Sequence, residues 1–165
     1  MKQVLSLVLA LVIVISNFSF VFGMPSEKEI YNQAGKILEG LGVLQGSETG
    51  DLMLENDLRR QDMVVLISRL YKEEGTAKKH PVKNTFNDVT SSFYKPYVSW
   101  AVDKGLVIGV GQGKFGYNNP VKVQQFQTLL LRVLGYGEEV KDYKNVPEIA
   151  KSLGFKVPDD ISVCG

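Results

Sequence analysis

The sequence predicts an all-α protein assembled from helix-loop-helix repeats, the third of them incomplete. Sliding the chain by 63 residues aligns Gly42 to Leu70 with Gly105 to Val133 without a gap. Seven of the 29 columns are identical: Gly42/Gly105, Gly46/Gly109, Gly50/Gly113, Asn56/Asn119, Gln61/Gln124, Leu66/Leu129 and Arg69/Arg132. Self-similarity at a fixed period is the signature of a duplicated structural unit. Apolar residues on both sides of the glycines recur at spacings of three and four, the period of a helix with one buried face.

Taken in order, residues 1–23 differ from the rest. Lys2, an apolar run from Val4 to Ile15 and a terminal Gly23 have the layout of a secretory signal cleaved after Gly23. An uncleaved membrane anchor is the alternative, against which Ser16, Asn17 and Ser19 interrupt the apolar stretch. Repeat 1 occupies 24–73. Its first helix places Ile30, Ala34, Ile37, Leu38 and Leu41 on one face, and its second places Met63, Leu66, Ile67 and Leu70. Gly42, like Gly105 in the next unit, falls where a left-handed residue commonly ends a helix. Residues 74–85, charged and carrying His80-Pro81, read as a linker.

Repeat 2 occupies 86–137. Tyr97, Val98, Trp100, Ala101 and Val102 mark its first helix, and Phe126, Leu129, Leu130, Val133 and Leu134 its second. The long loops between the paired helices, about 42–59 and 105–121, are of the kind that carries function in a compact domain. Residues 138–165 start a third copy: Tyr143-Lys144-Asn145-Val146 echoes Phe86-Asn87-Asp88-Val89, and Val146, Ile149, Ala150 and Leu153 share a helical face before Gly154. A second helix for this copy is missing from the sequence.

Composition removes several classes of function. Without Lys2 the chain carries 18 basic and 18 acidic residues, so bulk charge gives no reason to expect nucleic acid or an anionic membrane as partner. His80 and Cys164 are the single histidine and the single cysteine, too few for a zinc cluster, an internal disulfide or a Cys/His or Ser-His-Asp constellation. No cofactor and no enzymatic activity are expected. Gly111, Gly113 and Gly116 spell G-x-G-x-x-G, but a dinucleotide site needs a preceding strand and a helix opening at the last glycine. Here Tyr117-Asn118-Asn119-Pro120 delays the helix, and the glycines shared between repeats are 105, 109 and 113. No nucleotide is expected.

Phe86-Asn87-Asp88-Val89, Tyr97-Val98-x-Trp100-Ala101, Gly105-Leu106-x-x-Gly109, Gly113-Lys114-Phe115, Asn119-Pro120-Val121 and Leu130-Leu131-Arg132-Val133-Leu134-Gly135-Tyr136 resemble an S-layer homology repeat over its whole length. Repeat 1 resembles it from about Ala34 to Tyr71, without the Phe-x-Asp-Val start. The resemblance implies repeats packed about a pseudo-threefold axis, with grooves between them. It also implies noncovalent attachment of an exported bacterial protein to secondary cell-wall polysaccharide, often a pyruvylated one, at the wall or cell surface.

The family's signature at the start of the second helix is Thr-Arg-Ala-Glu, which Arg59-Arg60-Gln61-Asp62 matches at Arg60 and Asp62. A guanidinium in the first turn of a helix adds bidentate recognition to a terminus that already favours anions. The alternative is a solvated Arg60 paired with Asp62 or Glu55. With Arg59 in the threonine position, the hydroxyl cap is gone and Asn56 or Asp57 must supply it. In repeat 2, Val123 and Gln125 replace the arginine and the acid, leaving Lys122 as a point charge. Arg60, Arg59, Asp62, Lys122 and Trp100 are the candidate glycan contacts, although on an amphipathic helix Trp100 and Tyr97 read as core before they read as sugar-stacking platforms. A scaffold that self-associates through its incomplete third repeat, or a fragment of a larger surface protein, is the competing reading.

Overall fold

The computed structural model describes residues 26–83 and 86–155, so the expected signal peptide, Cys164 and the end of the third repeat lie outside the described residues. The chain divides into two units, Met1–Gln33 and Ala34–Gly165. Among the described residues there are six α-helices, one short 3-10 helix and no strand, as an all-α reading requires. They are α1 (Glu27–Gly40), α2 (Arg60–Leu70), α3 (Glu74–Lys78), α4 (Tyr94–Asp103), α5 (Val123–Val133) and α6 (Val146–Ser152), with the 3-10 turn Tyr143–Asn145 leading into α6. In the first unit the Ser26 hydroxyl accepts from the Glu29 N–H while the Glu29 carboxylate accepts from the Ser26 N–H, a reciprocal cap that starts α1.

α1, α4 and α6 stop in one way. Gly42, Gly105 and Gly154 adopt φ of +72°, +69° and +84°. The residue after each donates its N–H back into the last turn: Val43 to Leu38, Leu106 to Ala101 and Phe155 to Ala150. This closure satisfies carbonyls the helix would otherwise leave open and turns the following apolar residue inward. Val43 and Leu106 are accordingly buried.

The second helices also share a terminus, but with a different residue at its tightest point. Tyr136 closes α5 onto Leu131 with Gly135 at φ +93°, whereas Glu73 closes α2 onto Ser68 with Lys72 at φ +57°. A side chain in the left-handed region is strained by about 1 kcal/mol relative to glycine. Lys72→Gly is therefore expected to raise unfolding stability by about 0.5–1 kcal/mol, read from denaturant midpoints.

The main core is built where α2, α3 and α4 meet. Trp100, Tyr97, Met63, Val64, Ile67 and Phe115 are fully buried there. The Trp100 ring stands edge-on to Tyr71 at 5.9 Å, and its Nε1 donates to Glu73 at 3.0 Å. Residues 74–85 are more than a linker: α3 interrupts them, and Ala77 is completely buried in the core. Arg69 pairs with Glu74 at 3.0 Å, and Lys104 with Glu73 at 2.7 Å, tying the start of this connection to the helices on either side of it.

A second cluster, Leu131, Val140, Val146 and Ala150, joins α5 to α6. One turn before Leu131 stands Gln127, 6% exposed, whose Oε1 has no hydrogen-bond partner among the described residues. Its counterpart in repeat 1 is the buried Val64. Replacing a buried acceptor that lacks a partner with an apolar group removes a desolvation penalty. Gln127→Val is expected to stabilise the fold by about 1 kcal/mol in equilibrium unfolding.

α1 departs from its sequence pattern. Ile30, Ile37 and Leu41 are 47%, 63% and 70% exposed. The side of α1 that meets the rest of the second unit carries Gly35 and Leu38 instead. A Cβ on Gly35 would lie 2.6 Å from a Leu54 methyl, so the Leu54 side chain of the loop packs directly over this glycine. Helical periodicity locates a stripe but not which edge of it becomes covered.

A groove between the repeats

The loop of repeat 2 is held from two sides. From below, the Asp88 carboxylate accepts three backbone N–H bonds, from Phe115 at 2.8 Å, Gly116 at 2.7 Å and Tyr117 at 2.8 Å. Burial is the largest single influence on this carboxyl and favours the neutral form, but the three N–H groups and the N–H of Asp88 itself together outweigh it and hold Asp88 below its ordinary range. Asp88 thus anchors a loop 27 to 29 residues away.

From above, the start of α2 lies along the same loop. The Arg60 N–H donates to Asn119 and the Val121 N–H to Leu58, a short antiparallel contact with Arg59 opposite Pro120. Gln61 exchanges both of its amide groups with Asn118, at 2.8 and 2.9 Å. The first N–H of α2 is thus taken up by a distant loop, and neither Asn56 nor Asp57 caps the helix.

Arg60 closes the junction. It is 7% exposed, donates from Nε to the Phe115 carbonyl at 2.9 Å and from Nη2 to the Ile108 carbonyl at 3.2 Å, and lies 5.0 Å from the Phe115 ring centre. It is paired with neither Asp62 nor Glu55. Burial pulls its pKa down, an effect that the Asp88 charge eases. Its approach depends on Gly116, where a Cβ would stand 3.1 Å from both Cδ and Nε of Arg60.

Arg60, Ile108, Gly109, Gln125, Thr128 and Arg132 contribute to the lining of a groove of about 230 Å³, with Tyr143 at the edge nearest the third repeat. Arg132 donates from Nη1 to the Leu106 carbonyl at 2.9 Å. Two fixed guanidinium groups therefore border the groove, and among the described residues none of its lining side chains is acidic. Backbone carbonyls take one donor of Arg132 and two of Arg60, which leaves further N–H groups on both for a bound oxyanion.

The five sequence candidates do not form one site. Arg60 lines this groove. Arg59 and Asp62 line a wider one of about 840 Å³ beside the repeat 1 loop, where Asp62 accepts from the Tyr94 hydroxyl at 2.6 Å. Burial, followed by that hydrogen bond, pushes the Tyr94 phenol up. Lys122 is exposed and lines neither groove. Trp100 is completely buried and presents no ring face for a sugar. Arg132 was missed as a candidate, although its identity with Arg69 across the repeat was the available signal.

Residues 85–125 match the S-layer homology domain family. The chain is similar to the middle cell wall protein of Brevibacillus brevis, 27% identical over 128 residues, which covers 77% of this chain and 12% of that protein. It is similar also to the surface layer protein of Brevibacillus choshinensis, 28% identical over 148 residues, covering 86% of this chain and 13% of that protein. The chain spans little more than a tenth of the length of these relatives. No helix among the described residues is long and apolar enough to cross a membrane.

Proposed function

We propose, from the premise that this chain is a cell-surface protein carrying an S-layer homology module, that it is retained at the wall by noncovalent binding of secondary polysaccharide in the groove bordered by Arg60 and Arg132. The observation that supports this reading is the pairing of two immobilised guanidinium groups in a groove whose lining, among the described residues, holds no carboxylate. Each arginine is already oriented by a backbone carbonyl, so little side-chain entropy is lost when an oxyanion arrives. A sugar bearing a carboxylate, such as a pyruvyl ketal, meets that charge pattern, and the exposed side chains of Ile108 and Val110 offer apolar surface to its ring and methyl group. The role is retention rather than catalysis.

Co-sedimentation with purified walls, before and after acid extraction of the secondary polymer, tests this. The chain should pellet with intact walls alone, and Arg132→Gln should weaken that binding by about tenfold through loss of a charge-assisted contact. Equal pelleting with extracted walls would count against the reading. Self-association through the third repeat is the competing function, favoured by Leu153, 40% exposed on the apolar face of that repeat. Light scattering separates the two, since a monomer at high concentration removes the second.

A further inference from the structure

Away from the groove, the connection that follows α2 gathers positive charge around a hollow. Lys72, Gly75, Thr76, Lys79, His80 and Pro81 line an open depression of about 500 Å³. The acidic groups nearby are each already paired, Asp103 with His80 on the wall of the hollow itself. Glu73 holds Trp100 and Lys104, Glu74 holds Arg69, and Asp103 holds His80 and Lys83. Among the described residues no carboxylate pairs with Lys72 or Lys79, and both are exposed.

Lys72 adds a second, independent observation. It keeps a left-handed backbone at φ +57° where the matching terminus of repeat 2 has Gly135. Strain held at a position where glycine would relieve it points to a use for the side chain, and that side chain borders the hollow. Two ammonium groups and the Thr76 hydroxyl make a set of donors suited to phosphate, which lysine binds as a compact charge without the planar geometry a carboxylate asks of arginine.

We propose that this hollow binds phosphodiester groups of an anionic polymer at the cell surface, as a site separate from the arginine-bordered groove. The interaction is electrostatic and exposed, so it weakens steeply as salt shortens the Debye length. It would orient the module along a phosphate-bearing chain while the groove selects a sugar.

The test is titration of the full chain with poly(glycerol phosphate) at low and at high salt. Binding at low salt is expected, with Lys72→Gly and Lys79→Gln each weakening it about fivefold. Lys151→Gln, on the exposed side of α6, should leave it unchanged. Because Lys72→Gly also makes the fold more stable, its loss of binding cannot be ascribed to unfolding. Arg132→Gln should keep polymer binding while losing walls, so failure of the groove reading and failure of this one are seen separately. No binding at low salt, an undiminished Lys72→Gly variant, or an equal loss from Lys151→Gln would each overturn the proposal. So would preference for phosphatidylglycerol vesicles over the polymer.

Discussion

Arg60→Ala is expected to lower the free energy of unfolding by about 4 kcal/mol, more than most single substitutions do. The variant loses hydrogen bonds to the Phe115 and Ile108 carbonyls and the stacking of the guanidinium near the Phe115 ring. Hydrogen bonds to charged groups contribute about 1.5–3 kcal/mol each, and a cation over a desolvated ring about 1 kcal/mol or more. The Phe115 bond is buried, so its carbonyl is left without a replacement donor from water. Chemical denaturation gives the number, and Arg60→Lys provides the control: a lysine restores charge but not a fork that reaches two carbonyls. It should recover less than half of the loss. Wall retention should fall in both variants, more in alanine than in lysine.

Asp88→Ala is the second large effect, with an expected loss of about 3 kcal/mol as three loop N–H groups lose a shared acceptor. Asp88→Asn keeps one carbonyl oxygen for those donors and should cost roughly half as much. The same contact carries a pH signature. Folding depresses the Asp88 pKa, so its contribution is fully present above the ordinary carboxylate value near 3.8 and drains away as pH falls through the lower folded value. Denaturation midpoints of the parent and of Asp88→Ala should therefore converge in acid and stay apart at neutral pH. A constant gap across that range would show that the carboxylate charge is not what holds the loop.

Local chemistry was readable in the sequence, and partners across the fold were not. Gly42 and Gly105 announced two helix ends because a left-handed cap depends on one residue and its immediate neighbours. Tyr97 and Trp100 announced a buried face because their spacing is a property of one helix. The start of α2 at Arg60 followed from the resemblance of Arg59-Arg60-Gln61-Asp62 to the family signature. Its cap did not: the acceptor for the Arg60 N–H is Asn119, in the other repeat, and no local rule reaches that far. The role of Arg60 escaped for the same reason, since its two carbonyl partners lie 55 and 48 residues away. α3 escaped because five residues are too few to display a helical period. Arg132 stood in plain view as an identical column, but identity alone did not say that its guanidinium would border a groove with Arg60.

The contact between Arg60 and Gly116 gives the order of the repeats a chemical basis. At the matching place in repeat 1 stands Met53, itself at φ +52°, whereas in repeat 2 a Cβ at Gly116 would crowd Arg60 at 3.1 Å. The loops of the two repeats are therefore not interchangeable parts. A recombination event that exchanged them would separate an arginine from the glycine that admits it, leaving a charged group without its seat. These two positions have to be inherited together, and a chain that changes one is under pressure to change the other.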